Sequence, residues 1–143
     1  VYKRQHLAER VISAVGHAPR RVAVWGLTFK AGTDDLRESP AIDLVTGLLQ
    51  TGAEVVIHDP QLTALPAGVG GRFAVDPVEA ARDADAVVVA TEWREFAELD
   101  LSAVADAMAG TTLVDLRNVF ASDAVNAAGL DHYPLGRAAA PLR

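Results

Sequence analysis

The chain has 143 residues, half of them hydrophobic, and a formal net charge of −6 at pH 7. This length suits one domain with a sizeable core, and the acidic balance argues against a nucleic-acid backbone as partner. The chain contains no cysteine, which excludes disulfides, thiolate catalysis and cysteine-ligated zinc and fits a cytoplasmic location. No apolar run approaches the roughly 18 residues of a membrane span, and no signal peptide is visible, so no membrane partner is expected.

Strand-like and helix-like segments alternate along most of the chain. Apolar residues at helical spacing predict a first helix within 2–15. This alternation predicts an α/β fold: a Rossmann-like three-layer domain with a mostly parallel sheet of about six strands. The strands are predicted at 22–27, 54–58, 72–75, 86–90, 112–116 and 131–135, and the later helices at 40–50, 77 to about 82, 101–108 and 122–128.

Three helix starts carry capping signals. Ser39 is predicted as an N-cap, because Pro40 after it suits the first helical position. Asp76 and Glu79 have the spacing of a capping box, and Ser122 is predicted to cap the helix that follows it.

Polar side chains follow most of the predicted strands. The carboxyl ends of parallel strands meet at one edge of a sheet, and in the common order 3-2-1-4-5-6 a crevice opens there between strands one and four. Three cations at that edge of an acidic domain suggest an anionic ligand, such as a diphosphate. The side chains concerned are Lys30, Asp59, Glu92, Trp93, Arg117 and Arg137.

Each of these residues also has a purely structural interpretation. Lys30 could be a solvated loop lysine, Asp59 a turn residue and Trp93 a packing residue. The four histidines are scattered, and their spacing indicates neither a metal site nor a nucleophile–base pair. No G-x-G-x-x-G fingerprint follows the first strand, where the chain reads GLTFK from Gly26 to Lys30.

Five longer motifs occur in a characteristic order: GLTFKAGTDDLRESPA at 26–41, HDP at 58–60, DADAVVVATEWREFAELDL at 83–101, VDLRNVF at 114–120 and GLDHYPLGR at 129–137. Together they resemble the UDP-binding C-terminal domain of the UDP-glucose/GDP-mannose dehydrogenase family. The Thr91-Glu92-Trp93 triplet is more similar to the UDP-glucose branch than to the UDP-N-acetylmannosamine branch. UDP-glucose is therefore the preferred substrate, while GDP-mannose and UDP-N-acetylhexosamines remain possible.

The resemblance implies an activity that this chain does not complete alone. The family oxidises the sugar C6 alcohol to a carboxylate in two steps and reduces two NAD. Its NAD fingerprint and catalytic cysteine belong to other regions, so the isolated chain is expected to be inactive. Residues 1–18 would be a linker helix from a central region, 19–137 the UDP-sugar-binding domain, and 138–143 a tail. The chain begins with Val1 rather than Met, which favours a piece of a longer polypeptide. The resemblance implies that the full-length protein is a homo-oligomer.

The resemblance also implies roles for four residues. Phe29 and Lys30 match a pair that contacts the nucleotide-sugar, and Arg117 matches a substrate-contacting arginine. Arg37 matches an arginine that reaches toward NAD. No catalytic residue is expected in this chain.

Two other functions are compatible with parts of the sequence. One is a stand-alone nucleotide-binding or regulatory module without chemistry. The other is a phospho-accepting receiver domain, which fits poorly because Asp34 and Asp35 lie well past the end of the first strand.

Overall fold

Six parallel strands form one sheet in the order β3-β2-β1-β4-β5-β6. The structure is a computed structural model that describes residues 2–27 and 40–134. The strands are β1 (Arg21–Trp25), β2 (Glu54–His58), β3 (Arg72–Phe73), β4 (Ala86–Val89), β5 (Thr112–Asp115) and β6 (Asp131–Tyr133). The helices are α1 (Tyr2–Val15), α2 (Pro40–Gln50), α3 (Pro77–Ala81), α4 (Arg94–Ala97), α5 (Leu101–Ala107) and α6 (Ser122–Ala127).

Both faces of the sheet are buried, as an all-parallel sheet requires. In β1, Val22 and Val24 pack on the side of α1 and α2, while Ala23 and Trp25 pack on the side of α3, α5 and α6. This two-residue alternation produces two apolar cores, one on each face. The predicted α/β three-layer architecture and the strand order are therefore confirmed.

The first helix contributes directly to one of these cores. Val11 is fully buried, and Ala8 lies against α2 at Gly47, where an added Cβ would come within 2.9 Å of the Ala8 Cβ. Gly47 thus permits a close approach of the two helices. The domain boundary expected after residue 18 stays a prediction.

The helix starts follow the capping predictions only in part. Asp76 caps α3, with its Oδ2 accepting a hydrogen bond from the Glu79 backbone N–H at 3.0 Å. The prediction for Ser122 is wrong, because Ala121 is the N-cap of α6 and the Ser122 hydroxyl contacts His132 instead. The prediction for Ser39 lies outside the described residues, as does the end of the strand predicted at 131–135.

The remaining differences concern short elements. The structure adds the four-residue helix α4, which the sequence patterns did not predict.

In the part of the chain that is described, no helix has the length and apolar character needed to cross a membrane.

Candidate functional site

The carboxyl ends of β1 and β4 form a topological switch point. The chain leaves β1 toward α2 on one face, whereas after β4 it continues to Phe96 and α5 in the core of the opposite face. At such a switch point, open α/β sheets form the crevice in which they bind ligands. Gly26 lies on Thr91 in this crevice: a Cβ on Gly26 would come within 2.5 Å of the Thr91 Cβ.

Buried backbone hydrogen bonds hold the strand ends together. The Gly26 N–H donates to the His58 carbonyl at 2.7 Å, and the Ala90 N–H donates to the Trp25 carbonyl at 2.9 Å. These bonds continue the hydrogen-bond pattern of the sheet past the ends of the strands. They therefore fix the backbone from which the loops at this edge begin.

Asp59 connects the end of β2 to the end of β1. Its carboxylate is fully buried and accepts hydrogen bonds from the backbone N–H groups of Leu27 and Gln61, both at 2.7 Å. A carboxylate that accepts backbone N–H groups in this way stabilises the loops that donate them. The turn interpretation of Asp59 is thus supported, and the residue also anchors the last described position before 28–39.

Asp115 organises the loop after β5. This fully buried carboxylate accepts the N–H of Val119 at 2.9 Å and of Arg117 at 3.3 Å through Oδ1. Its Oδ2 accepts the N–H of Phe120 at 2.9 Å and lies 3.1 Å from His132 Nε2. The carboxylate therefore fixes the turn that carries Arg117.

His132 extends this network to Ser122, whose Oγ lies 2.6 Å from His132 Nδ1. Because Asp115 accepts three backbone N–H groups, we treat it as a carboxylate, which can only accept hydrogen bonds, and assign the imidazole proton to Nε2. In the neutral ring, Nδ1 then accepts a hydrogen bond from the Ser122 hydroxyl. The structure thus brings Ser122 and His132 into contact, which the spacing of the histidines did not indicate. The two residues lie ten positions apart, on α6 and β6, so no local spacing signals their contact.

Among the four residues to which the resemblance gives a ligand role, Arg117 is the one that the structure describes. Its Nε and Nη2 donate to Glu92 Oε1 at 3.1 and 2.8 Å, across the neighbouring ends of β5 and β4. The two side chains are 43% and 56% exposed, so solvent screens the ion pair. The guanidinium thus lies at the carboxyl edge, accessible to an anionic ligand.

Trp93, next to Glu92, packs against the core on the α3 side of the sheet and is half-buried. Its indole Nε1 is buried and has no hydrogen-bond partner among residues 2–27 and 40–134. The packing interpretation of Trp93 is supported, although burying an indole N–H without a partner carries a cost.

Four other residues predicted at the ligand edge or in the site lie outside the described residues. Phe29, Lys30 and Arg37 fall within 28–39, and Arg137 falls after 134. Their roles therefore remain predictions. Asp115, His132 and Glu92 are the site residues whose contacts sequence reasoning missed, because each depends on side chains from different strand ends.

The described residues offer neither a metal centre nor a dinucleotide cradle. Over 2–27 and 40–134, no group of three or more His, Asp or Glu side chains could hold a metal ion. Gly26, the glycine at the end of β1, is required for contact with Thr91 and for its φ of +97°. The rest of the turn after β1 falls within 28–39, outside the described residues, so NAD binding by this chain stays a prediction.

Comparisons with known proteins agree with this geometry. A family model described as the UDP-binding domain of the UDP-glucose/GDP-mannose dehydrogenase family matches residues 23–122. A UDP-glucose 6-dehydrogenase from Rhizobium meliloti (strain 1021) is 42% identical over 139 residues, which cover 94% of this chain and 32% of that protein. The chain thus spans about a third of the length of this curated relative.

Solved structures match over nearly the whole chain. An NDP-N-acetyl-D-galactosaminuronic acid dehydrogenase from Methanosarcina mazei Go1 superposes with a TM-score of 0.79 at 26% identity, covering 95% of this chain and 29% of that one. A UDP-D-ManNAc dehydrogenase from Pyrococcus horikoshii gives a TM-score of 0.73 at 26% identity, covering 95% and 30%. The chain belongs to the UDP-glucose/GDP-mannose dehydrogenase family and corresponds to its UDP-binding domain.

Proposed function

We propose that this chain supplies the nucleotide-sugar site of an NAD-dependent UDP-glucose 6-dehydrogenase, with Arg117 binding the anionic part of the ligand. One observation carries this proposal: an accessible guanidinium stands beside the switch-point crevice on a loop fixed by a buried carboxylate. A guanidinium matches the geometry of phosphate oxygens, and its donors cannot be deprotonated near neutral pH. A nucleoside diphosphate-sugar offers the matching anion.

The division of labour in the whole enzyme follows from what this chain contains. It has no cysteine to attack the sugar carbon and no G-x-G-x-x-G segment to hold NAD, so these functions belong to other regions of the enzyme. Diphosphate binding here would hold the sugar in place for hydride transfer elsewhere. Binding energy from parts of a substrate remote from the reacting atom can be used in this way.

We assign Phe29 and Lys30 to the same ligand and Arg37 to NAD. The support is their position in the sequence, since 28–39 continues from Leu27 at the carboxyl end of β1. An ammonium from Lys30 would add a second cation for the diphosphate. UDP-glucose is the preferred ligand because of the Thr91-Glu92-Trp93 triplet and the activity named for the Rhizobium meliloti relative.

An amide-resolved NMR titration of the chain with UDP, UDP-glucose and GDP tests this proposal. UDP and UDP-glucose are expected to shift the Arg117 Nε–H signal and the amides of Gly26, Thr91 and Trp93, with a weaker response to GDP. The variant Arg117→Ala should lose roughly tenfold or more in affinity, as expected for a lost charge-assisted hydrogen bond. Shifts confined to other parts of the chain, or no response to any of the three nucleotides, would contradict the proposal.

A further inference from the structure

The contact between Glu92 and Arg117 involves one particular edge of the guanidinium. A guanidinium presents two edges to acceptors: the side edge formed by Nε and Nη2, and the end edge formed by Nη1 and Nη2. Both donors that bind Glu92 Oε1 belong to the side edge, at 3.1 and 2.8 Å. Nη1 makes no hydrogen bond to any residue that the structure describes.

Glu92 is itself placed by rigid surroundings. Thr91, which precedes it, is 1% exposed and lies against Gly26. Trp93, which follows it, is the N-cap residue of α4 and packs on the core. The backbone of Glu92 is therefore held on both sides, and its side chain extends from a fixed position next to Arg117.

We propose that Glu92 is a positioning residue that holds Arg117 by its side edge, so that the end edge of the guanidinium is presented to the ligand's diphosphate. This inference rests on the proposed function, because it concerns the same ligand and the same arginine. Arg117 contacts the ligand, and Glu92 acts through Arg117.

The physical reason is the cost of ordering a long side chain. A free arginine has many rotamers, and binding an anion must restrict them, which lowers affinity by roughly two- to tenfold for one immobilised side chain. An existing ion pair at Glu92 restricts Arg117 before the ligand arrives. Since both groups are about half exposed, the pair adds little stability of its own and leaves the fold insensitive to its loss.

The opposing effect is electrostatic. Glu92 carries a negative charge close to the proposed diphosphate, and removing it would raise the local attraction for an anion. If that effect outweighed ordering, Glu92 would be a competitor of the ligand rather than a support for Arg117. A control for the change in charge therefore decides between the two interpretations.

Three variants of the 143-residue chain separate these effects. Glu92→Ala removes the charge and the acceptor, whereas Glu92→Gln removes the charge but keeps an amide oxygen that can accept from the side edge. Glu95→Ala is the matched control, because Glu95 is exposed on the first turn of α4 and makes no contact with Arg117. The dissociation constant of UDP is measured by calorimetry for each variant, with a thermal melt to verify folding.

Positioning predicts that Glu92→Ala weakens UDP binding by roughly two- to tenfold relative to Glu95→Ala, and that Glu92→Gln restores most of this loss. The Arg117 Nε–H signal should broaden or shift in Glu92→Ala and stay near its original position in Glu92→Gln. Equal or tighter binding by Glu92→Ala would overturn the inference while leaving the proposed function intact. No UDP binding by the unsubstituted chain would overturn both.

Discussion

Charged side chains occupy both edges of the sheet, but the two edges use them differently. The amino-terminal edge contains a cleft of about 400 Å³. The carboxyl-terminal edge contains the switch point, the buried carboxylates of Asp59 and Asp115, and the accessible pair of Arg117 and Glu92. The residues that line the amino-terminal cleft are Arg20, Arg21, Glu54, Asp83, Asp85 and Ala109.

At the amino-terminal edge, the Arg21 guanidinium is fully engaged by the protein. Arg21 donates from Nε to Glu54 at 3.0 Å and from Nη1 to the Arg82 carbonyl at 3.1 Å, while its Nη2 lies 2.9 Å from the same Glu54 oxygen. Asp85 accepts the Arg20 backbone N–H at 2.7 Å. These charges join the starts of neighbouring strands, and each guanidinium nitrogen of Arg21 has a partner within the protein.

At the carboxyl-terminal edge, the two buried carboxylates accept hydrogen bonds from the protein, whereas the Arg117 guanidinium donates from one of its two edges only. Asp59 and Asp115 accept backbone N–H groups and fix loops, whereas Arg117 keeps Nη1 without a partner among the described residues. A cleft lined by charges therefore does not by itself indicate a ligand site. The hydrogen bonds of Arg21 and Arg117 show a difference between the two edges that the cleft does not.

The largest effect is expected from Asp115→Ala, which leaves one buried backbone N–H donor, two part-buried ones and His132 without their acceptor. We expect a loss of about 4 kcal/mol in the free energy of unfolding, because each unsatisfied buried donor costs about 1–3 kcal/mol before relaxation. The matched change Asp85→Ala, at the half-buried amino-terminal edge, should cost only about 1 kcal/mol. Urea denaturation of both variants measures the difference in the free energy of unfolding. Equal losses in the two variants would show that the carboxylates at the two edges contribute equally to stability.

The next effect comes from the contact between the ends of β1 and β4. Gly26→Ala should destabilise the chain by about 3 kcal/mol, because its Cβ would lie 2.9 Å from the Thr91 backbone nitrogen in a left-handed conformation. Gly16→Ala is the control, with a φ of +91° and no atom within 4 Å of the added Cβ; it should cost about 1 kcal/mol. Similar denaturation midpoints for the two variants would mean that the crevice tolerates a side chain.

The fold was predictable because its determinants are local, while the site contacts are not. Apolar runs such as 86–89 and punctuation such as Gly52 identify strands and helix ends within short windows. Helix α4 escaped prediction because its four residues make one turn with a single buried side chain, Phe96. Arg117 meets Glu92 across 25 positions and Asp115 meets His132 across 17, distances at which only the strand order brings residues together.

A smaller effect is expected from His132, which supports the carboxyl-terminal edge from β6. His132→Ala should lower the free energy of unfolding by about 2 kcal/mol, since it removes a hydrogen bond to a buried carboxylate and one to Ser122. His17→Ala, in an exposed position, should change it by less than about 0.5 kcal/mol. A neutral result for His132→Ala would show that the three backbone donors alone satisfy Asp115.

The smallest stability effect should belong to the arginine with the largest effect on binding. Arg117→Ala is expected to change the free energy of unfolding by less than about 0.5 kcal/mol, because its ion pair is exposed. Arg21→Ala should cost about 1 kcal/mol, since that side chain is 25% exposed and all of its guanidinium nitrogens are engaged. Calorimetry with UDP should rank the same variants in the opposite order, with affinity lost in Arg117→Ala and kept in Arg21→Ala. An Arg21→Ala variant that folds but no longer binds UDP would assign ligand binding to the amino-terminal cleft. That result would refute the distinction between Arg21 as an arginine that stabilises the fold and Arg117 as one that binds the ligand.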